Sequence, residues 1–132
     1  MPTKRRRPAT RSTDVPDGWH TVTPRLFVGD AKRLVAFLTR VFGATGTYQR
    51  DRPSEIRLGD SVIMVTDASI RPPTTSMLYV YVGDVDAVYR HAVAAGARTL
   101  EEPSVMPYGD RRCMVEDPWG TTWQIATRMK KR

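Results

Sequence analysis

The chain has 132 residues, 40% of them hydrophobic, and a formal net charge of +7. That length suits one domain with a real core, no apolar run approaches the roughly 18 residues of a membrane span, and a single cysteine, Cys113, excludes an intramolecular disulfide and fits a reducing, cytoplasmic setting. The charge sits in the tails: residues 19–127 hold twelve basic and twelve acidic side chains, so the basic core face expected of a nucleic-acid-binding fold has no support.

Residues 1–18 carry Lys4, Arg5, Arg6, Arg7 and Arg11 among polar residues and prolines. They read as a disordered basic tail, and the charges are followed by no apolar stretch of the kind a secretory signal has. Residues 128–132 (RMKKR) form a second basic tail. Such runs read as solvated ends, with at most weak contact to nucleic acid.

Thr21 to Val28 reads as a strand, and Pro24 within it argues for an edge or a strand start. Asp30 is placed to cap a helix over Ala31–Phe42, where Leu34, Phe37, Leu38, Val41 and Phe42 recur at helical spacing and Gly43 supplies the stop. Thr45–Tyr48, Glu55–Leu58 and Val62–Val65 read as strands, and residues 68–76, with Pro72 and Pro73, as a linker. The plan then restarts. Met77–Val82 is a strand, Val85–Ala95 a helix stopped by Gly96, Ala97–Leu100 a strand, and Arg112–Glu116 and Thr121–Thr127 a hairpin around the Asp117-Pro118-Trp119-Gly120 turn.

The restart is an internal repeat: PRLFVGD at 24–30 superposes on LYVYVGD at 78–84. Each half is a strand ending in VGD, a helix, then further strands, and one half alone exposes the apolar face of a sheet, so two must pack together. Period and repeat predict an α+β domain over residues 19–127, in modules at about 19–67 and 77–127.

Four stretches carry a family resemblance in order: LFVGDAKRLVAFLTRVFGA (26–44), EIRLGDSVIM (55–64), YVYVGDVDAVYRHAVAAGA (79–97) and YGDRRCMVEDPWGTTWQIAT (108–127). Together they resemble the glyoxalase / bleomycin-resistance / extradiol-dioxygenase superfamily, the vicinal oxygen chelate proteins, and YGDR followed by DPWGTTW is closest to its PhnB-like branch. The resemblance implies two βαβββ modules whose mixed sheet curls into a cup with the helices outside, and a homodimer. In metal-dependent members, four side chains point into the cup. Carried onto this chain, those places hold Thr23, Ile63, Met77 and Gln124, of which only Gln124 offers a hard cation an oxygen. His20 and His91 fall outside the pattern, so no metal and no cofactor are expected. The branch also often has a histidine where this chain has Thr121.

Strand parity places Arg25 and Phe27 beside Thr23, Ser61 and Val65 beside Ile63, Tyr79 and Tyr81 beside Met77, and Thr122 and Ala126 beside Gln124. A lining of this kind suits a flat or amphipathic small molecule held by stacking and burial. The binding residues expected are Arg25, Phe27, Glu55, Met77, Tyr79, Tyr81, Tyr108, Arg111, Trp119 and Gln124, with Trp119 at the rim and Trp123 in the core. Arg111 is also read as a structural partner of Glu55 or Asp110. The function expected is capture of an aromatic or hydrophobic molecule, as bleomycin-resistance relatives capture antibiotics. The alternative is a metal-independent lyase- or isomerase-type enzyme using Tyr79, Tyr81, Asp110 or Glu55; no catalytic residue is assigned.

Overall fold

The computed structural model describes residues 15–69, 71–73 and 75–129. Most of both basic tails lies outside them. The first strand, β1 (Arg25–Val28), starts directly after Pro24, shorter than the period-2 reading and as a proline at a strand start requires. Helix α1 (Ala31–Phe42) buries Leu34, Val35, Phe37, Leu38 and Val41 and exposes Lys32, Arg33 and Arg40. Asp30 caps it, accepting from the Arg33 amide, with φ of 62° in the left-handed region that aspartate tolerates better than most residues. Asp67 adds a second acceptor, for the Ala31 amide at 2.9 Å. Gly43 ends the helix at φ 67°.

β2 (Ser54–Leu58) and β3 (Ser61–Asp67) form a hairpin, and β1 pairs with β3 in parallel, giving the sheet order β1-β3-β2. The strand expected at Thr45–Tyr48 is reduced to one bridge, Thr45 with Arg57. Gly46 lies so near this edge that a Cβ would sit 2.5 Å from the Glu55 carbonyl oxygen. The second module runs β4 (Met77–Tyr81), α2 (Val85–Ala94), β5 (Arg98–Val105), β6 (Asp110–Glu116) and β7 (Thr122–Arg128), in the order β4-β7-β6-β5. β5 extends well past Leu100 and holds Pro103, which an edge strand accepts; the register slips on either side of Glu101. Asp84 caps α2 by accepting from the Ala87 amide.

The architecture is α+β: two unclosed, curled sheets of mixed strands and two helices. Each sheet buries one face under the helices. Leu26, Val28, Ile56, Ile63 and Val65 line the core from the first sheet, and Cys113, Val115, Trp123 and Ile125 from the second. Ile63 and Val65 thus face the core and not the open side, a correction of one residue in the expected parity of β3; Val62, Met64 and Thr66 take the opposite face. Thr23 precedes β1 in irregular chain.

The Asp117 turn locks β6 to β7. Its carboxylate, 3% exposed, accepts from the Trp119 amide at 2.9 Å, the Thr121 amide at 3.0 Å and Trp123 Nε1 at 2.8 Å. Burial pulls this carboxyl's pKa upward while the three donors act against that. Asp117→Ala removes the shared acceptor of three donors and is expected to cost about 3 kcal/mol of stability, read by urea denaturation. A loss below about 0.5 kcal/mol would show that the turn holds without it.

Candidate functional site

Because one face of each sheet is sealed by helices, the other face is where a ligand can be met. On the first sheet that open face carries Arg25, Phe27, Thr66, Met64 and Glu55, the residues opposite in parity to the core set. Arg25 lies over the Phe27 ring, 4.8 Å from its centroid, and donates to Thr66 Oγ1 at 3.2 Å. Arg57 shares the face and donates to the Gly18 carbonyl at 3.0 Å. This brings Trp19 beside Glu55, Arg57 and Val62 around a cleft of about 180 Å³.

The second sheet's open face is more aromatic. The parallel register places Met77 beside Thr122, Tyr79 beside Gln124 and Tyr81 beside Ala126. Across β6 the same rows continue to Glu116, Met114 and Arg112. Met77, Tyr79 and Tyr81, on the edge strand β4, are 63%, 38% and 54% exposed, on the face opposite the core. An apolar cluster of this size left open is the ordinary mark of a binding or association surface.

The tyrosines converge. Tyr79 and Tyr81 have ring centroids 5.3 Å apart, and both hydroxyls donate to Asp110 Oδ2, at 2.7 and 2.8 Å. Asp110 is fully buried. The Tyr108 hydroxyl stands 3.2 Å from that of Tyr79 and accepts from Arg112 Nη1 at 3.5 Å. Ala126, between Tyr81 and Arg112 in the ladder, is completely covered. A larger residue there would compete with the tyrosines for the space over the sheet. Arg112 also pairs with Glu101, and Arg98 with Glu116, so the charged rim of this face is matched pair by pair. An open groove of about 590 Å³ runs past Tyr81, Val82, Thr127 and Arg128.

The structure therefore brings together Met77, Tyr79, Tyr81, Tyr108 and Gln124 on the second sheet, and Arg25, Phe27 and Glu55 on the first. Two expected residues lie elsewhere. Arg111 has the opposite parity to Asp110 and makes a two-toothed pair with Asp86 of α2, both contacts 2.9 Å, rather than reaching Glu55 or Asp110. That pairing holds the Asp86 carboxyl below the usual carboxylate range. Trp119 is not at the rim of an open sheet face: its ring meets Phe37 of α1 edge-on at 5.7 Å, and it borders a crevice with Arg33, Arg40 and Ala95 on the helical side. Trp123 is core, 4.9 Å from the Phe42 ring. Cys113 is fully buried, and burial pushes its thiol up to about 11, away from the reactive thiolate.

Sequence reasoning missed Arg112 and Glu101. Alternation outward from Gln124 through its ladder partner Met114 reaches Arg112, whereas attention to the YGDR motif settled on Arg111. Trp19 was missed because it stands alone at the edge of a polar tail.

The residues present do not fit a metal of the kind that metal-dependent members of the resembled family hold. Ile63 faces the core, Met77 and Gln124 stand on β4 and β7, and Asp110 is committed to two tyrosine hydroxyls. Among the described residues, no three His, Cys, Asp or Glu side chains gather where they would share an ion.

Residues 19–125 match the family described as the Glyoxalase/Bleomycin resistance protein/Dioxygenase superfamily. Among solved structures, the chain is similar to TioX from Micromonospora sp. ML1, with a TM-score of 0.71, 25% identity and coverage of 83% of this chain and 99% of that one. It is also similar to a glyoxalase-related enzyme from Fulvimarina pelagi, with a TM-score of 0.69, 21% identity and coverage of 83% and 88%. A third is TnmS3, an antibiotic binding protein from Streptomyces sp. CB03234, with a TM-score of 0.67, 19% identity and coverage of 83% and 95%. At the identities of the last two, the likeness is one of fold.

The tyrosine cluster has a measurable signature. Tyr79 ionises well above the ordinary tyrosine range, first because of burial and then through its hydrogen bonds to Tyr108 and Asp110. Tyr48 is raised as well, chiefly by its hydrogen bond to Asp67. A raised folded-state pKa gives stability that is fully present below the unfolded value and lost as pH climbs past it, so stability should fall above about pH 10. Tyr79→Phe is expected to make that fall shallower, as measured by urea unfolding at neutral pH and near pH 11. An identical slope in the variant would mean that Tyr79 titrates normally.

Proposed function

The chain belongs to the Glyoxalase/Bleomycin resistance protein/Dioxygenase superfamily, and from that premise we propose that it binds a small aromatic or hydrophobic molecule on its open sheet faces, in the cytoplasm, without transforming it. The observation that carries this reading is the exposed surface of Met77 and of the Tyr79 and Tyr81 rings, whose hydroxyls are held by the buried Asp110. Rings fixed by hydrogen bonds at their far ends stack on a flat ligand at little further entropy cost. The fold neighbour described as an antibiotic binding protein supports an antibiotic as the kind of molecule bound. The YGDR and DPWG motifs support the PhnB-like branch.

The hydrogen-bond directions favour capture over acid–base turnover. Tyr79 stays protonated far above neutrality and already gives its proton to Asp110. Neither His20 nor His91 lies on the open faces: His20 precedes β1 and His91 is exposed on α2. A general acid or base working near neutral pH has no ready candidate in the cluster.

A second copy of the chain is the occupant we propose for the rest of these faces. Within one chain the two modules meet mainly through helix packing and the Phe37–Trp119 and Phe42–Trp123 ring contacts, and the open face of the second sheet carries exposed Met77, Tyr81 and Tyr108. A two-fold pairing would cover these and enclose a ligand between protomers.

Two measurements test the reading. In a thermal-shift panel of aromatic antibiotics and aryl acids, at least one compound should stabilise the protein, and Tyr81→Ala should weaken its binding about tenfold by loss of stacking and buried area. Unimpaired binding by the variant, or turnover of the compound that Asp110→Asn abolishes, would contradict capture on this face. Light scattering at micromolar concentration should give about twice the chain mass of 14.9 kDa, and a monomer would contradict the paired arrangement.

A further inference from the structure

Trp119 lies on the helical side of the molecule, away from both open sheet faces. It and Phe37, whose rings meet edge-on at 5.7 Å, border a crevice of about 160 Å³ between α1 and the turn that joins β6 to β7. The short side chains of Ala36 on α1 and Ala95 opposite leave it open. Positions 33, 36, 37 and 40 share one face of α1, so Arg33 and Arg40 stand on either side of the apolar pair, about 10 Å apart along the axis.

The charge on this wall is not matched by acid on the same helix. α1 holds Lys32, Arg33 and Arg40 and no acidic residue. Arg33 meets Asp30 only loosely, at 3.9 Å. Arg40 takes part in none of the ion pairs formed among the described residues. The acidic groups that come near from other elements are engaged elsewhere. Asp117 accepts from two backbone amides and Trp123, Glu116 pairs with Arg98, and Asp86 of α2 is taken by Arg111.

We propose that this crevice is a second binding site, separate from the sheet faces, for a small carboxylate carrying a single aromatic ring. The ring packs against Trp119 and Phe37, and the carboxylate meets the Arg40 guanidinium. A guanidinium matches a carboxylate with two parallel N–H donors, and aromatic pairs gain from edge and offset contact. Volume sets the size of the ligand. About 160 Å³ is well below the roughly 300 to 1,000 Å³ of sites that hold drug-sized molecules, so one ring fits and a fused system does not. Both arginines are exposed, and an ion pair in water is weak and screened by salt. Charge alone therefore does not hold the ligand, and the ring is needed with it. The proposal does not depend on what the sheet faces bind.

The probes are benzoate, benzyl alcohol, which keeps the ring without the charge, and acetate, which keeps the charge without the ring. Binding is read from the indole N–H resonances of isotope-labelled protein, with Trp119→Phe identifying the Trp119 signal. Benzoate is expected to shift that signal saturably and to bind about tenfold more tightly than benzyl alcohol, as one charge-assisted hydrogen-bonded contact supplies. Acetate at the same concentration should not shift it. Arg40→Gln should remove most of the preference for benzoate. Ala36→Leu, at an exposed position of α1, should fill the crevice and abolish the benzoate shift, whereas Tyr81→Ala should leave it unchanged. Equal affinity for benzoate and benzyl alcohol, no shift of Trp119, or a shift that survives Ala36→Leu overturns the proposal. Loss of the shift in Tyr81→Ala also overturns it, because the ligand then sits on the sheet face.

Discussion

Each sheet of this protein has one face closed by a helix, and that single division of faces governs everything else. Burial of Leu26, Ile56, Val65, Val115, Trp123 and Ile125 fixes strand parity, because a slip of one residue would carry the whole apolar set into water. Once parity is fixed, the side chains between them have nowhere to go but outward. Met77, Tyr79 and Tyr81 are exposed as a consequence of Leu78 and Val80 packing inward. The candidate site is the complement of the core, and it inherits the core's rigidity.

Two buried aspartates show how differently one residue type is used on the two sides of this division. Asp117 sits among backbone and indole donors and closes a turn; its bonds run to Trp119, Thr121 and Trp123, all within a few residues. Its work is local, and it sets the register of the final hairpin. Asp110 instead gathers hydroxyls from β4, some thirty residues away in sequence. A buried carboxylate is costly unless donors surround it, and here the donors are side chains whose rings must therefore stand in one orientation over Ala126. The cost of burial is what aligns the surface offered to a ligand.

How much of this was legible in the chain follows from which signals are local. The VGD repeat, the Asp30 and Asp84 caps and the DPWG turn are short-range features with their own chemistry, and the helices and hairpin they announce are present. Parity over β3 was not legible, because Val62, Ile63, Met64 and Val65 form an unbroken apolar run in which alternation leaves no trace. For the same reason Arg111 and Arg112 could not be separated by type. Only the pairing of β6 with β7 tells that Arg112 shares a face with Ala126 while Arg111 turns to Asp86 on α2. Trp119 was misplaced because a turn has no period: its ring direction is set by Phe37, from an element that the sequence places far away.

The charge pattern completes the physical account of the site. The described ion pairs on or beside the second sheet are matched within the protein: Arg98 with Glu116, Arg112 with Glu101, Arg111 with Asp86. Exposed pairs of this kind add little stability, but they cancel local fields that would otherwise draw charged molecules. A face so neutralised presents ring area and a few oriented hydrogen bonds. The basic residues at the two ends of the chain stand apart from this balance, since the twelve basic and twelve acidic side chains of residues 19–127 already cancel.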